Sequence, residues 1–518
     1  MGLAQAQEDA KPNTLPTPAS NQIIYRSSDH QRIVPYKIDA FGATYNDADN
    51  VYNVEADYGI ITFDDNITTI GKEAFYTRDK LIAVVWPTTV TSIVKYAFQN
   101  CTNLSSIDLQ EGVTSIGEYA FSGCAGMTEI TIPSTVTSIG NYAFSNWEAL
   151  NKLTVKVGSI GGSAFLNCTK LSSIDLQEGV TSIGESAFQN CAGMAELTIP
   201  STVTSIGNRA FNGWKALNKL TVKAGSIGGS AFQNCTNLSS IDLQEGVTGI
   251  GNNAFQNCAG MTGLTIPSTV TSIGDYAFQG WESLINLTVK AGSIGGWAFQ
   301  NCTKLSSIDL QEGVTGIGNN AFQNCAGMAE LTIPSTVTNI GTEAFASWES
   351  LINLTVKAGN IGDYAFQNCS NLSSIDLQEG VTGIGIAAFK NCTSLSSITF
   401  GNAMMNIANN SFSGCTNVTS VTLLGVMALN NIFNGVGTTE SPVALNLPSY
   451  WPVNDRPLNS ITPWHGGYFN CTYVDPVKEF LGSLGIEQSG PAIEVIDQDD
   501  KVLKLYNPKK VNFIKVGE

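Results

Sequence analysis

Cys101-Thr-Asn-Leu-Ser-Ser-Ile-Asp-Leu-Gln-Glu-Gly-Val-Thr-Ser-Ile-Gly-Glu-Tyr-Ala-Phe121 is the stretch that decides the fold. Leu104-Ser-Ser-Ile107-Asp-Leu109 has Leu-x-x-Leu-x-Leu spacing, and Ile107 and Leu109 alternate with Ser106, Asp108 and Gln110. A period of two predicts a strand with one face buried. Val113 and Ile116 are expected to bring the chain back across the core, with Gly117 at a sterically restricted turn. Tyr119-Ala120-Phe121 then predicts a short helical or 3₁₀ turn that drives Phe121 inward.

The same text recurs along the chain. Sixteen phenylalanines from Phe75 to Phe412 follow isoleucines five residues upstream, from Ile70 to Ile407. Phe98, Phe165, Phe232, Phe299, Phe366 and Phe433 lie 67 residues apart, and each 67-residue block divides into units of 23, 23 and 21. A period in the twenties means a solenoid, because one short coil cannot bury its apolar face alone and stacks on its neighbours. The predicted fold class is therefore a solenoid of leucine-rich repeats: a parallel β-sheet with short helical or 3₁₀ turns, capped by small β-rich segments. At roughly 4.8 Å per coil the sheet should run about 75–80 Å. The 21-residue units lose two residues just after the strand, as in Thr154-Val-Lys-Val-Gly-Ser-Ile160 against Thr131-Ile-Pro-Ser-Thr-Val-Thr-Ser-Ile139.

The expected organisation is a flexible leader over 1–20, an N-terminal cap over 21–57 and the solenoid over 58–435. A loop-rich C-terminal cap over 436–475 and a small β unit over 476–518 follow. In that last unit, Val477–Leu484 reads as a possible short helix, and Ile493-Glu-Val-Ile with Val502-Leu-Lys-Leu-Tyr as a hairpin.

Composition narrows the function. Of 518 residues 13% are charged, and the formal net charge is −17, which disfavours nucleic acid and anionic membrane surfaces as partners. No apolar run is long enough to span a bilayer. The opening Met-Gly-Leu-Ala-Gln carries no signal-peptide pattern. Residues 1–20 read as a leader left behind a removed signal, so an extracellular or cell-surface location is expected.

Eleven of the twelve cysteines occupy the position three after a Phe, from Cys101 to Cys415, and Trp147, Trp214, Trp281 and Trp348 take it in every third unit. A slot that accepts Cys or Trp reads as apolar and packed, so buried free thiols are expected. Disulfides between adjacent coils are the alternative. A single-file ladder does not converge four zinc ligands, and His30 and His465 are the only histidines. Neither His lies in the array, no nucleophile, metalloprotease or phosphate-loop motif occurs, and no enzyme activity or cofactor is expected. Asp108, Asp175, Asp242, Asp309 and Asp376 recur every third coil, about 14 Å apart at the sheet spacing. Glycosidase carboxylates need roughly 5–9.5 Å, so a glycan hydrolase is disfavoured.

Two columns are candidate ligand-binding positions. On the strand face, the five aspartates lie diagonal to Lys156, Lys223, Lys290 and Lys357. They read either as a solvated face with weak cross-strand Asp–Lys contacts or as a periodic strip for a repeating ligand. Two residues before each Phe, a variable column holds Tyr96, Tyr119, Tyr142 and later Tyr276 beside Trp297. It reads as exposed: either aromatics stacking on one another, or a platform for sugar rings or an extended peptide.

The unit Leu-x-x-Ile-x-Ile-Pro-x-x-Val-x-x-Ile-Gly-x-x-Ala-Phe-x-x-Cys resembles the BspA-like leucine-rich repeat proteins over about residues 58–435. Ile24-Tyr-Arg-Ser-Ser-Asp, Gly59-Ile-Ile-Thr-Phe-Asp64 and Trp464-x-Gly-Gly-x-Phe469 are similar to end segments of that family. The resemblance implies an exported surface protein of host-associated bacteria, adhering to extracellular-matrix protein, glycan or other microbes, with no catalytic motif. A monomer is expected. The competing reading is a structural spacer or coat component whose terminal units bind.

Overall fold

The computed structural model describes residues 15–45, 47–191, 194–258, 260–325, 328–400, 406–423, 428–429, 432–434, 436, 443–448, 469–474, 494–496 and 502–505. Successive coils stack in register as a parallel β-solenoid. The phenylalanines are its spine: from Phe75 to Phe412 each ring lies 5.0–5.4 Å from the next, with interplanar angles of 1–9°. All of these rings are fully buried, and one continuous core follows them along the array.

Each coil carries two strand segments. The Ser-Ile pair before the glycine column (Ser115–Ile116, Ser138–Ile139, Gly158–Ile160 and their equivalents) forms one parallel sheet in coil order from Thr69–Ile70 to Ala428–Leu429. The sequence reading treated this segment as a simple return across the core, and expected the continuous sheet on the other side. There the Leu-x-x-Ile strands form short sheets instead: Glu129–Ile132 with Lys152–Val155 and Ser173–Leu176, then a new set from Glu196–Ile199 to Ser240–Leu243, then from Gly263–Ile266 to Ser307–Leu310.

The expected helical turn is a run of i→i+3 turns interleaved with coil-to-coil bonds. The N–H groups of Ala120, Ser122 and Cys124 donate to Gly117, Tyr119 and Phe121, while those of Tyr119, Phe121 and Gly123 donate to Asn141, Ala143 and Ser145 of the next coil. Alternate amides thus point along and across the coil, and every donor is used. That alternation needs two left-handed residues per coil, Tyr119 (φ 54°) and Gly123 (φ 76°). The second falls on a column of Asn or Gly in most coils, the residues that tolerate this conformation best. The glycine after the isoleucine has a different cause from the turn first read there. A Cβ on Gly184 would lie 2.5 Å from the backbone carbon of Gly161, so the column reflects the approach of neighbouring coils.

At the N-terminus Phe41 packs on Phe63 and Phe75, closing the core. Gln22–Ser27 does more than cover the end. It lies between the strands of the first two coils, Tyr58–Thr62 and Leu81–Val85, antiparallel to both. At the other end Val443–Pro448 and Phe469–Val474 extend the last sheet in parallel, and Glu494–Ile496 pairs antiparallel with Val502–Leu505, the expected hairpin. The expected helix at 477–484 and the segment Trp464–Gly467 lie outside the described residues.

Phe255 sits between Phe232 and Phe278 and is fully buried. Phe255→Ala removes two ring contacts and leaves a cavity in mid-array, and is expected to cost about 3–5 kcal/mol, read by denaturant unfolding. A loss near zero would place the ring outside the core.

Candidate ligand-binding surface

Strand alternation turns Asp108, Asp175, Asp242, Asp309 and Asp376 outward, all exposed. Asp175, Asp242, Asp309 and Asp376 each accept from the glutamine two residues on, at 2.9–3.1 Å. Their cross-strand neighbours are threonines, as in Thr154 beside Asp175. The lysines keep their diagonal positions but do not pair with the aspartates. Lys156, Lys223, Lys290 and Lys357 reach back two coils to Glu111, Glu178, Glu245 and Glu312, at 3.0–3.3 Å. The cause is a clasp. Each glutamate also accepts from a serine hydroxyl one coil on (Ser134, Ser201, Ser268, Ser335) at 2.8–2.9 Å, which fixes its carboxylate within the lysine's reach.

The clasp bridges four places where the strand-face sheet is interrupted. No ladder joins Ser106–Ile107 to Glu129–Ile132, Ser173–Leu176 to Glu196–Ile199, Ser240–Leu243 to Gly263–Ile266, or Ser307–Leu310 to Glu330–Ile333. The residue after the strand is a proline at these four, whereas at a fifth interruption, between Ser374–Ile384 and Ser397–Phe400, it is Gly401. At joined interfaces the residue after the strand donates to the preceding coil, as Gln177 N–H does to Val155 and Lys223 N–H to Ile199. At the four it is Pro133, Pro200, Pro267 or Pro334, which has no N–H to give. A groove of about 410 Å³ opens at the first interruption, bringing together Asp108, Glu111, Glu129, Lys152 and Lys156. The groove gathers the predicted Asp108 and Lys156 with Glu111, the Glu–Ser–Lys clasp recurs at Glu178, Glu245 and Glu312, and Asp376 lies beyond the last clasp; the glutamates are members that sequence reading missed.

The aromatic column is half-buried, not exposed as expected, because its rings cover one another. Tyr119 and Tyr142 stack at 4.7 Å and 3°, Tyr96 tilts on Tyr119 at 5.4 Å, and Tyr276 stacks on Trp297 at 5.1 Å. Lys95 caps the row with its ammonium 4.7 Å from the Tyr96 ring centre. Beside this column runs an amide ladder that sequence reading did not foresee. Gln233, Gln256, Gln279, Gln300 and Gln323 donate head to tail at 2.5–2.7 Å, and Gln323 ends on Glu343. The glutamine that follows Phe in these units was its available signal.

The cysteine slot is polar in one respect. Each thiol donates to the carbonyl of the preceding coil's Phe at 3.0–3.8 Å, and the tryptophan N–H groups do the same at 2.6–2.8 Å. A slot for Cys or Trp is therefore a slot for a donor on an apolar body. The eleven cysteines from Cys101 to Cys415 are free and buried, and burial pushes the Cys101 thiol up to about 12. Among the described residues no three His, Cys, Asp or Glu side chains converge as metal ligands, and no helix is long and apolar enough to cross a membrane.

A stacked coil with Leu-x-x-Ile-x-Ile strands, a Phe spine and an Asn/Gly turn column defines a leucine-rich-repeat solenoid. The family model of the BspA type leucine rich repeat region matches residues 50–168, 158–285, 281–360 and 350–436, and the chain belongs to that family. Among solved structures it is similar to a leucine-rich repeat protein from Bacteroides ovatus, at 23% identity over 76% of this chain and 94% of that one, with a TM-score of 0.45. It is also similar to a leucine rich cell surface protein from Faecalibacterium prausnitzii, at 20% identity over 89% of this chain and 99% of that one, with a TM-score of 0.31. The pneumococcal vaccine antigen PcpA matches at 17% identity over 74% of this chain and 80% of that one, with a TM-score of 0.31. No curated protein matches the sequence.

Two measurements test this surface. The four glutamate carboxyls are held below their ordinary value, Glu111, Glu245 and Glu312 mainly by their serine hydroxyls and Glu178 mainly by Lys223. A lowered folded value means that the clasp stabilises above the unfolded glutamate value and is lost as pH falls through the folded one. Changing Ser134, Ser268 and Ser335 to Ala should raise the titration of their partners towards the ordinary value in carboxyl-resolved NMR; unchanged midpoints would contradict the clasp. In native buffer, alkylating reagents should leave all eleven described thiols unmodified until denaturant is added, as read by mass spectrometry.

Proposed function

We propose that this chain is a non-enzymatic, exported or cell-surface binding protein that adheres polyvalently to matrix protein, glycan or other microbes. Leucine-rich repeat architecture supports a protein-binding or surface role, and membership of the BspA type family points to a bacterial surface. One observation carries the reading: the same clasp of Glu, Ser and Lys beside an exposed Asp recurs four times, every 67 residues, along one face. Identical sites on one rod act together, because the first contact raises the effective concentration for the next. The exposed aspartates, four of them already accepting from a glutamine, and the edges of the tyrosine rings are its most accessible chemistry, since the lysines are held by glutamates and the ring faces by one another. The net charge of −17 favours partners that are neutral or basic where they meet this face.

The test is removal of one whole block. Deleting residues 166–232 joins Phe165 to Gln233 and preserves the repeat. Against panels of matrix proteins and glycans on a sensor surface, the shortened chain should dissociate several-fold faster than the full one. A triple change of Tyr96, Tyr119 and Tyr142 to Ser shows whether the aromatic row contributes. Identical dissociation of the full and shortened chains would support instead a spacer whose terminal units bind.

A further inference from the structure

The interruptions of the strand-face sheet have a counterpart that is already filled. Between the first and second coils the strands Tyr58–Thr62 and Leu81–Val85 do not pair with each other, and Gln22–Ser27 lies between them. Its Cα partners are Ile60 and Val85 for Ile24, and Gly59 and Val84 for Tyr25. Behind it the coils remain joined through Thr69–Ile70 and Ser92–Ile93. Two consecutive coils of this fold therefore stay stacked while an extended segment completes their sheet. The coil after this gap has Pro87 in the proline column, as the coils after four later gaps have Pro133, Pro200, Pro267 and Pro334.

The later gaps present the same unpaired backbone but are narrower. Cα atoms of Ser173–Leu176 and Glu196–Ile199 approach within 8 Å, whereas a strand lodged between them spans about 9.6 Å, so an added segment must part the lips. In the second, Ser173 and Gln177 direct their N–H groups to Asn151 and Val155, so Ile174 and Leu176 turn their backbone to the gap. On the facing lip, the carbonyls of Ala195 and Ile199 accept from Lys219 and Lys223, which leaves Glu196 and Thr198 facing the gap. Both lips are strand edges without a ladder partner across the gap, the arrangement that pairs with an added strand. The floor is apolar and partly open. Ile107, Ile174 and Ile241 are half-buried while Ile308 of the fourth gap is buried, as are Leu153 and Leu220, the counterparts one or two coils away. The downstream end is held by side chains, through the Glu178–Ser201 clasp and the bond from Gly179 N–H to Thr202 Oγ1 at 3.0 Å.

We propose that each proline-marked gap is a docking slot for an extended segment of a partner polypeptide, which joins the sheet antiparallel as Gln22–Ser27 does. This rests on the polyvalent-binding reading and names its ligand class: an unfolded stretch of protein, with apolar residues that meet the exposed isoleucine. The net charge of −17 favours a segment that is neutral or basic at its flanks, as Gln22–Ser27 is with Arg26. Four equivalent slots at a spacing of three coils suit a partner with several such segments, or many copies of one.

The probe is a synthetic peptide of residues 20–29, Ser-Asn-Gln-Ile-Ile-Tyr-Arg-Ser-Ser-Asp, added to the full chain. Saturable binding to more than one site is expected by calorimetry. Hydrogen exchange at Ile174, Leu176, Glu196 and Thr198 should slow on addition of peptide. A peptide with Ile24→Pro, which loses an N–H, should bind at least tenfold more weakly. The chain carrying Pro133→Gln, Pro200→Gln, Pro267→Gln and Pro334→Gln regains the missing donors and should also bind at least tenfold more weakly. Unchanged exchange at the four lip amides in the unaltered chain, at peptide concentrations up to about a millimolar, would overturn the proposal whatever the substituted chain does. Peptide-reversible growth in mass with concentration would assign the slots to a second copy and overturn the partner assignment. Block-dependent adhesion that saturating peptide leaves untouched would remove this inference and keep the polyvalent reading.

Discussion

The structure depends on one constraint: neighbouring coils must lie one strand spacing apart through the Phe core and the Ser-Ile face, even where the opposite face is interrupted. The Phe spine fixes that distance on the inside, with ring centres 5.0–5.4 Å apart, and the N–H of each Phe reinforces it by donating to the carbonyl of the residue before the next coil's Phe, as Phe121 does to Ala143 at 2.8 Å. Once the spacing is set, columns become chemistry. Identical amides meet head to tail, thiols meet carbonyls, and side chains are excluded where backbones touch. Gly184 shows the exclusion and the Gln233–Gln323 ladder the opportunity.

On this uniform spacing a second period of three coils is imposed by a few residues. At four of the divisions on the Leu-x-x-Ile face a proline removes a ladder donor, and at the last, before Ser397–Phe400, the column holds Gly401. The other face, built from Ser-Ile pairs, contains no such proline and stays continuous. The rod is thus a continuous sheet backed by an interrupted one. On the interrupted face, backbone and partly open apolar side chains meet exposed charge.

Much of this was legible in the sequence, for identifiable reasons. The Phe and Ile columns specify a solenoid because both must be buried and both recur at fixed offsets. The cysteine column was readable as free and packed because tryptophan replaces it. What was misread depends on partners more than one coil away. Lys156 stands diagonal to Asp175, and only the folded chain shows that Ser134 holds Glu111 where the lysine finds it first. The variability of the tyrosine column was taken as exposure. It reflects instead a left-handed backbone that tolerates several residue types, with rings folded onto their neighbours. The proline column was visible in the text, but its consequence needed knowledge of which amides the adjoining interfaces use.

Repetition also bears on how this surface can bind. Five blocks of near-identical text give no single site a distinct geometry, so selectivity must come from what several sites do together. An exposed Lys–Glu pair contributes little by itself, and a ligand touching one cleft gains correspondingly little. The clefts are held at a fixed spacing of three coils by a stacked core, so little conformational freedom is lost when a second one engages. A partner that presents its contacts at that interval, or densely enough that some fall on it, gains from every cleft at once. A compact partner with one contact gains from one. On the polyvalent-binding proposal, such an architecture favours extended or crowded ligands over small isolated ones, whatever the detailed chemistry within each cleft.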